Sequence, residues 1–252
     1  MDTSTKVRLK SEAEFHDKAF SEDSRASVGR FYRIIEPSRS HYLNYIGERC
    51  KGKRFLEYGS GDATQGPRFA RLGAEVVGID ISPVSVEKNR AVAARHGLDG
   101  LTYEVMDAEA TTFPDESFDL IGGVGILHHL DLDRCYAEIG RLLREGGSAI
   151  FIEPLGHNPL INWFRARTPE LRTPDEHPLL MRDLDLLKSY FADVRLKYYY
   201  LTALGAALLP EGWMCRTVLK VLNGVDQALF AVLPFLRKHA WAVVLTVAGP
   251  KR

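Results

Sequence analysis

The feature that most constrains this chain is an apolar stretch that runs directly into two glycines separated by one residue. It reads Phe55-Leu-Glu-Tyr-Gly-Ser-Gly-Asp-Ala-Thr64. Glycines at this spacing let the backbone turn sharply and leave its N–H groups accessible, so a ligand can approach where a side chain would block it. The stretch therefore predicts a strand, a cofactor loop containing Gly59, Ser60 and Gly61, and then a helix.

The loop fits the G-x-G-x-x-G dinucleotide fingerprint only in part, because Thr64 stands at the third glycine position. The next predicted strand, 74–80, ends in Asp80, about 20 residues beyond the glycines, where a carboxylate can accept both ribose hydroxyls. Dinucleotide cofactors and other adenosine cofactors both use this device. The glycine loop and Asp80 therefore predict a nucleotide-type cofactor and leave its identity open.

Three further motifs follow the same order along the chain. Glu57 lies two residues before the first glycine, where a carboxylate can hold an ammonium group or order the glycine loop. Asp107, followed by Ala108, forms a second acidic strand end that is well placed to meet an adenine amino group. The third motif consists of two stretches. Residues 118–130 contain two adjacent histidines, and residues 141–147 end in two adjacent glycines.

Taken in order, the motifs E-x-G-x-G, G-I-D, D-A-E, F-D, L-H-H-L and L-L-R-E-G-G resemble the class I S-adenosylmethionine-dependent methyltransferases, in particular the UbiE and type-11 group. The resemblance covers residues 52–153. It implies S-adenosyl-L-methionine as cofactor and a Rossmann-like, doubly wound sheet. That α/β sheet would have seven mostly parallel strands, an antiparallel last strand and a helical lid. The implied cofactor-binding residues are Tyr32, Glu57, Gly59, Ser60, Gly61, Asp80, Ile81, Asp107, Ala108 and Gly125.

The region from Lys53 to Ile152 alternates between short apolar runs and helical patterns. Strands separated by helices predict right-handed crossovers and a mostly parallel sheet. In such sheets ligands bind outside the carboxyl ends of the strands, where the strand order reverses. The predicted strand ends hold Glu57, Asp80, Asp107, the 122–129 loop and Glu153.

The flanking segments predict a lid and caps around this region. Residues 1–50 are expected to form an N-terminal helical lid, as in similar methyltransferases, and residues 51–252 the methyltransferase domain. Tyr32 in the lid either touches the methionine carboxylate or packs the lid on the core. The Pro-rich 154–190 and the apolar 203–236 are expected to be substrate-cap insertions. The first is expected to be irregular over 154–178 and helical over 182–190, and the second to form mainly core or cap helices.

The paired histidines are the leading candidates for a general base. A sulfonium already makes its methyl group electrophilic, so the protein must align the reactants and, for a hydroxyl acceptor, remove a proton. His128 and His129 follow the fourth strand's end, and since adjacent side chains point in different directions, only one is expected to face the pocket. Glu153 is a second candidate base or a substrate anchor. A metal site of both histidines with Asp131 or Asp133 is disfavoured, so no metal is predicted.

Chain length, charge and cysteine content limit the kinds of binding partner and the compartment that we expect. A chain of 252 residues suits one α/β domain with insertions, and 33 basic against 33 acidic residues give no field that attracts nucleic acid. A small-molecule substrate is therefore expected, and a homo-oligomer is compatible with the sequence. The three cysteines lack C-x-x-C spacing, and neither a signal peptide nor an apolar run of about 18 residues is present, which predicts a cytoplasmic protein without integral membrane association.

The sequence thus predicts an enzyme that moves a methyl group to an O, N or C atom of a small acceptor. The apolar C-terminal segment favours a lipid-like, aromatic or other secondary metabolite in a biosynthetic reaction. Two alternatives stay open at this point. They are an NAD-dependent Rossmann oxidoreductase, which uses a similar glycine loop, and a non-catalytic protein that binds S-adenosylmethionine.

Overall fold

Seven strands form one sheet in the computed structural model, which describes residues 33–62, 64–169 and 176–252. The strand order is β3-β2-β1-β4-β5-β7-β6. The strands are β1 (Arg54–Tyr58), β2 (Glu75–Asp80), β3 (Leu101–Val105), β4 (Phe118–Val124), β5 (Leu143–Pro154), β6 (Phe191–Tyr199) and β7 (Ala242–Pro250).

All pairings from β3 to β5 are parallel, whereas β7 runs antiparallel to both β5 and β6. The chain moves outward from β1 to β3 and then returns to add β4 on the other side of β1. The strand order therefore reverses between β1 and β4, which is where an open α/β sheet binds its ligand. The mostly parallel, Rossmann-like sheet expected from the sequence is confirmed.

Helices cover both faces of the sheet. They are α1 (Glu36–Gly47), α2 (Gly66–Arg71), α3 (Pro83–Arg95), α4 (Leu132–Leu142), α5 (Pro159–Arg167), α6 (Met181–Tyr190) and α7 (Trp213–Val232). Side-chain caps fix where two of them begin. The hydroxyl of Ser82 accepts the Ser85 N–H (3.1 Å) before α3, and the carboxylate of Asp131 accepts the Arg134 N–H (3.2 Å) before α4.

The core has two layers, because successive residues of each central strand point to opposite faces. Phe55 and Ile150 pack in the layer that contains α1, whereas Leu56 and Phe151 pack in the layer that contains α4. β1, β4 and the second half of β5 are buried on both faces and mostly apolar, whereas the first half of β5 is exposed at residues 144–146.

Several boundaries differ from those that the sequence predicts. β5 extends over 143–154 rather than 148–152, because its pairing with β7 continues from Ser148 to Pro154 and its first residues continue straight from α4. The 154–190 insertion, expected to be irregular over 154–178, contains α5. Asn158 begins this helix by accepting the N–H groups of Leu160 and Ile161, and Pro159 at the first position has no N–H that needs a partner. Tyr32 and the rest of residues 1–32 lie outside the described residues.

The connection between β6 and β7 forms a helical cap. It consists of a 3₁₀ helix (Thr202–Leu208), α7 and a second 3₁₀ helix (Pro234–His239). Asp226 on α7 is fully buried, and its carboxylate accepts the N–H groups of residues 201–203 at 2.8–3.2 Å. The carboxylate of Asp226 thus ties α7 to the start of the first 3₁₀ helix. Among the described residues, every helix is too short or too polar to cross a bilayer.

We expect Asp226→Ala to lower the free energy of unfolding by about 2–4 kcal/mol, because three backbone N–H groups near it lose their acceptor. Asp226→Asn should recover part of the loss, since the amide oxygen can still accept. Urea denaturation measures both variants, with the exposed Thr217→Ala on the same helix as the control. An Asp226→Ala variant as stable as this control would contradict the capping role.

Candidate active site

The glycine loop lies where β1 ends, and two of its residues adopt backbone conformations that favour glycine. Gly59 has φ +73° and Gly61 has φ +47°. A Cβ atom at Gly59 would also lie 2.8 Å from Cγ1 of Ile126, in the turn after β4. The loop therefore needs glycine both for its conformation and for its contact with that turn.

Glu57 holds this loop in place through hydrogen bonds. It is 5% exposed, and its carboxylate accepts the hydroxyl of Thr64, the N–H of Gln65 (2.5 Å) and the N–H of Gly66 (3.2 Å). The sequence left two roles open for Glu57, which are to hold an ammonium group or to order the glycine loop. These contacts are those of a residue that orders the loop. Burial raises the pKa of Glu57 from the ordinary 4.5 to about 7, although its hydrogen bonds act to lower it.

Asp80 at the end of β2 links the loop to the next helix. Its Oδ2 accepts the N–H of Gly61 (2.8 Å) and its Oδ1 accepts the N–H of Ser82 (2.9 Å). Asn89 on α3, which sequence reasoning missed, donates from Nδ2 to the Gly61 carbonyl (2.8 Å). These contacts hold the loop between β1 and β2, and the role of Asp80 toward a ribose stays a prediction.

Asp107 follows β3 and combines a turn contact with an unused acceptor. Its Oδ1 accepts the N–H of Glu109 (2.8 Å), whereas its Oδ2 is buried and has no hydrogen-bond partner among the described residues. The carbonyl of the neighbouring Ala108 accepts the hydroxyl of Tyr58. A buried carboxylate oxygen that lacks a donor suits a ligand N–H group such as an adenine amino group.

Three other predicted cofactor residues lie at the same edge of the sheet. The N–H of Ser60 donates to the Ile79 carbonyl (2.8 Å), and the N–H of Gly125 donates to the Ile152 carbonyl (2.8 Å). Ile81 is half-buried directly after β2. The structure therefore brings every predicted cofactor residue that it describes to the carboxyl ends of β1, β2, β3 and β4, and their contacts with a cofactor stay predictions.

His128 and Glu153 form a buried pair beside this edge. The Nδ1 atom of His128 lies 2.7 Å from Oε2 of Glu153, and the two residues are 7% and 0% exposed. The other carboxylate oxygen accepts the N–H groups of Ile126 and Leu127, both at 2.9 Å. Both oxygens of Glu153 are therefore engaged, and of the two ring nitrogens of His128 it is Nε2 that does not contact Glu153.

His129 lies next to this pair, with its ring centroid 4.2 Å from that of His128. Glu176, from the insertion after β5, places Oε1 3.8 Å from His128 Nε2 and 2.9 Å from the Arg165 guanidinium. Ligand atoms of His128, His129 and Glu176 all lie within 4.8 Å of one another, which is close enough for a metal ion. This geometry does not test the prediction of a metal-free site. The acidic residue that lies beside the two histidines is Glu176, not Asp131 or Asp133.

Sequence reasoning also missed a hydroxyl pair that supports the loop. The hydroxyl of Tyr103 on β3 lies 2.7 Å from the Thr64 hydroxyl, which in turn donates to Glu57. The ring of Tyr103 lies over Gly78, where a Cβ atom would be 2.4 Å from the ring. The glycine in the G-I-D motif was the available signal, because a glycine inside a strand often marks such a close approach.

Comparisons with known proteins agree with this site. Residues 56–151 match the family described as "Methyltransferase domain". Aklanonic acid methyltransferase DauC from Streptomyces sp. (strain C5) is 34% identical over 143 residues, which are 55% of this chain and 61% of that protein. Ubiquinone biosynthesis O-methyltransferase from Mesorhizobium japonicum is 37% identical over 103 residues, 38% of this chain and 39% of that protein. The chain thus spans less than two thirds of these relatives.

Solved structures show the same fold at low sequence identity. Phosphoethanolamine N-methyltransferase 2 from Haemonchus contortus, in complex with S-adenosyl-L-methionine, has a TM-score of 0.66 at 17% identity over 95% of this chain and 60% of that one. Geranyl diphosphate C-methyltransferase from Streptomyces coelicolor A3(2) has a TM-score of 0.60 at 13% identity over 86% of this chain and 79% of that one.

The strand order and the glycine loop are those of a Rossmann-like α/β domain. The match identifies residues 56–151 as a methyltransferase domain, and together with the methyltransferase relatives it supports a class I S-adenosylmethionine-dependent methyltransferase. The family predicted from the ordered motifs is therefore confirmed, and with it S-adenosyl-L-methionine as the cofactor of that family. The described residues fit this group, because the buried Asp107 Oδ2 has no hydrogen-bond donor among them and can accept one from a ligand.

We expect the Glu57 carboxyl of the cofactor-free protein to titrate with a midpoint near pH 7. Because its folded-state pKa lies above its unfolded value, protonated Glu57 stabilises the fold fully below about pH 4.5. This contribution, about 3 kcal/mol in total, is lost as the pH rises through 7. Carbon-13 NMR of glutamate-labelled protein measures the midpoint, and the signal missing from Glu57→Gln assigns it. An assigned midpoint near 4.5 would show that the carboxyl is solvated.

Proposed function

We propose that this chain is an enzyme that transfers a methyl group from S-adenosyl-L-methionine to a hydroxyl oxygen of a small apolar acceptor. The observation that carries the proposal is the buried pair of His128 and Glu153 beside the glycine loop. When bound, the cofactor supplies an electrophilic methyl group. The residues of the chain then have two tasks, which are to hold the reactants in line and to remove the hydroxyl proton.

The cofactor would be held by groups that the fold fixes in advance. Gly59, Ser60 and Gly61 form the loop that would face the cofactor, Asp80 lies at the strand end that meets the ribose in nucleotide sites, and Asp107 offers Oδ2 to the adenine amino group. Glu57 would serve these residues by keeping the loop in shape. No rearrangement of the sheet is needed, because the loop is hydrogen-bonded to β2 and α3 before any ligand arrives.

His128 would act as the general base. A Glu153 carboxylate that accepts the Nδ1–H of His128 keeps the lone pair on Nε2 and stabilises the imidazolium that forms when Nε2 takes the proton. The acceptor oxygen would bond to the methyl carbon while the bond between that carbon and the sulfur breaks, which leaves S-adenosylhomocysteine, and the hydroxyl proton would pass to Nε2. The presence of a general base favours an oxygen acceptor. Two other kinds of acceptor, a carbon in an electron-rich double bond and a neutral amine, depend less on a base during methyl transfer.

The segments 154–190 and 203–236 would cap the acceptor, and residues 1–50 would form the lid. In the described part, Arg165 and Glu176 from the first segment lie over His128, and the second segment contributes the mostly apolar α7. Curated relatives carry names that refer to aklanonic acid, tocopherol and sterols, which supports an acceptor with a large apolar body.

A second candidate function is cofactor binding without methyl transfer. The [4+2]-cyclase SpnF shares the fold at a TM-score of 0.55 and 19% identity, over 83% of this chain and 79% of that one. The fold is therefore also found in a protein named for other chemistry. The NAD-dependent alternative has less support, since the matched family and the curated relatives above are methyltransferases.

Calorimetric titration with S-adenosylhomocysteine tests the cofactor site. We expect micromolar affinity, no heat with NAD, and roughly 5- to 100-fold weaker binding in Asp107→Asn, because an amide N–H₂ would replace the oxygen that accepts from adenine. Asp185→Asn, at an exposed ion pair with Lys188, is the matched control. A folded protein that binds NAD and not S-adenosylhomocysteine would overturn the cofactor assignment.

Turnover with labelled S-adenosylmethionine tests the base, using polycyclic phenols and prenylated hydroquinones as trial acceptors. We expect His128→Ala and Glu153→Gln to lower kcat by about 10²–10⁴-fold with little change in S-adenosylhomocysteine affinity. In Glu153→Gln the amide oxygen can still accept from residues 126 and 127, but its N–H₂ donates to Nδ1 and forces the proton onto Nε2. Full activity in His128→Ala would refute the base, and cofactor binding without any product would favour the second candidate.

A further inference from the structure

The cap between β6 and β7 exposes an unusual amount of apolar surface. We call the α7 surface the set Trp213, Met214, Val221, Val225, Val232 and Phe235, which are between 43% and 76% exposed. Large apolar side chains scattered singly are normal on a protein surface, but a contiguous set marks a contact site.

The members on α7 form a stripe rather than a scatter. Met214, Val221, Val225 and Val232 follow one another at seven-, four- and seven-residue spacing, which places them along one side of the helix. The side that faces the core carries other residues, among them Leu219 and Phe230. The helix therefore has two apolar sides, and the core uses only one of them.

Basic residues outnumber acidic ones on the cap that carries this stripe. Between residues 202 and 241 the basic residues are Arg216, Lys220, Arg237 and Lys238, and the acidic ones are Glu211 and Asp226. Asp226 is fully buried beneath the 3₁₀ helix, so the solvent-facing charge is four basic groups against one acidic group. In a chain with equal numbers of basic and acidic residues, this local excess is complementary to an anionic surface.

Aromatic residues extend the surface beyond α7. Trp163 and Leu160 on α5 are 55% and 58% exposed, and the Arg167 guanidinium stacks 3.9 Å from the Trp163 ring. Asn158, which caps α5, donates from Nδ2 to the His239 carbonyl (2.6 Å), so the start of α5 adjoins the end of the cap. Tryptophan next to arginine is typical of segments that lie in the interface between lipid and water.

The position of the cap relates it to the candidate active site. β6 is parallel to β5, since both are antiparallel to β7, and the cap begins where β6 ends. The carboxyl ends of β1, β4, β5 and β6 therefore lie at one edge of the sheet, which holds the glycine loop, His128 and the start of the cap. A surface contacted by the cap would lie on the side of the protein where the acceptor enters.

We propose that the α7 surface rests on an anionic lipid bilayer, with the apolar stripe among the acyl chains and the basic residues at the headgroups. The protein would then collect a membrane-dissolved acceptor at the edge of the sheet that carries His128, a step that rests on the proposed function. A second copy of the chain is the weaker occupant, because a symmetric dimer through this surface would bring the same four basic groups together.

Vesicle sedimentation of the full chain tests the proposal. We expect binding to phosphatidylcholine vesicles that contain about a third phosphatidylglycerol, little binding to phosphatidylcholine alone, and release between roughly 0.05 M and 0.5 M NaCl. The double variant Val221→Glu/Val225→Glu should weaken the partition by about tenfold or more, since it places carboxylates in the stripe. Leu72→Glu, at an exposed apolar residue after α2, is the matched control and should bind like the unaltered chain.

Failure of this proposal can be told apart from failure of the proposed function. Vesicle binding is read without turnover, and S-adenosylhomocysteine affinity measured on each variant reports whether the domain is folded. The proposal is overturned if the chain ignores anionic vesicles, if the double variant binds them as well as the Leu72→Glu control, or if the chain is a dimer that the double variant converts to a monomer.

Discussion

The buried carboxylate of Glu153 joins the two halves of the site. It accepts the N–H groups of Ile126 and Leu127 and pairs with His128, so it fixes the whole turn after β4. The side chain of Ile126 in turn occupies the space beside Gly59 that a larger residue would need. The proposed proton acceptor and the cofactor loop are therefore positioned by one network, which is anchored at the end of β5 and reaches the loop where Ile126 packs beside Gly59.

The sequence predicted the part of the site that local rules determine. A strand that ends in glycines, an acidic residue at the next strand end and a capped helix each have a signature within a few residues, and the fold and the family follow from their order. What could not be predicted is which distant groups meet. Which of His128 and His129 pairs with Glu153 depends on the twist of a 3₁₀ turn, and sequence spacing does not specify that twist.

The same limit explains the residues that sequence reasoning missed. Asn89 reaches Gly61 from α3, and Tyr103 reaches Thr64 from β3, over separations of 28 and 39 residues. Neither residue belongs to a motif, and Gly78 signals a close approach without specifying Tyr103, so the packed sheet is needed to identify both contacts. The insertion after β5 was expected to be irregular because its prolines were read as breaks, whereas Pro159 after Asn158 is a helix start. A proline can therefore mark either the start of a helix or a break, and the residue before it decides between the two.

The division of the chain into a loop-bearing part and a capping part has an evolutionary consequence. The glycine loop, Asp80, Asp107 and the His128 turn all lie within the 56–151 region that matches the family, whereas α5 and α7 follow it along the chain. The cap enters and leaves the sheet at two neighbouring strands, β6 and β7, so it can be lengthened, exchanged or recharged without disturbing β1 to β4. Under the proposed function, acceptor choice can therefore diversify with the cap as a separate trait, without any change in the loop that holds the cofactor.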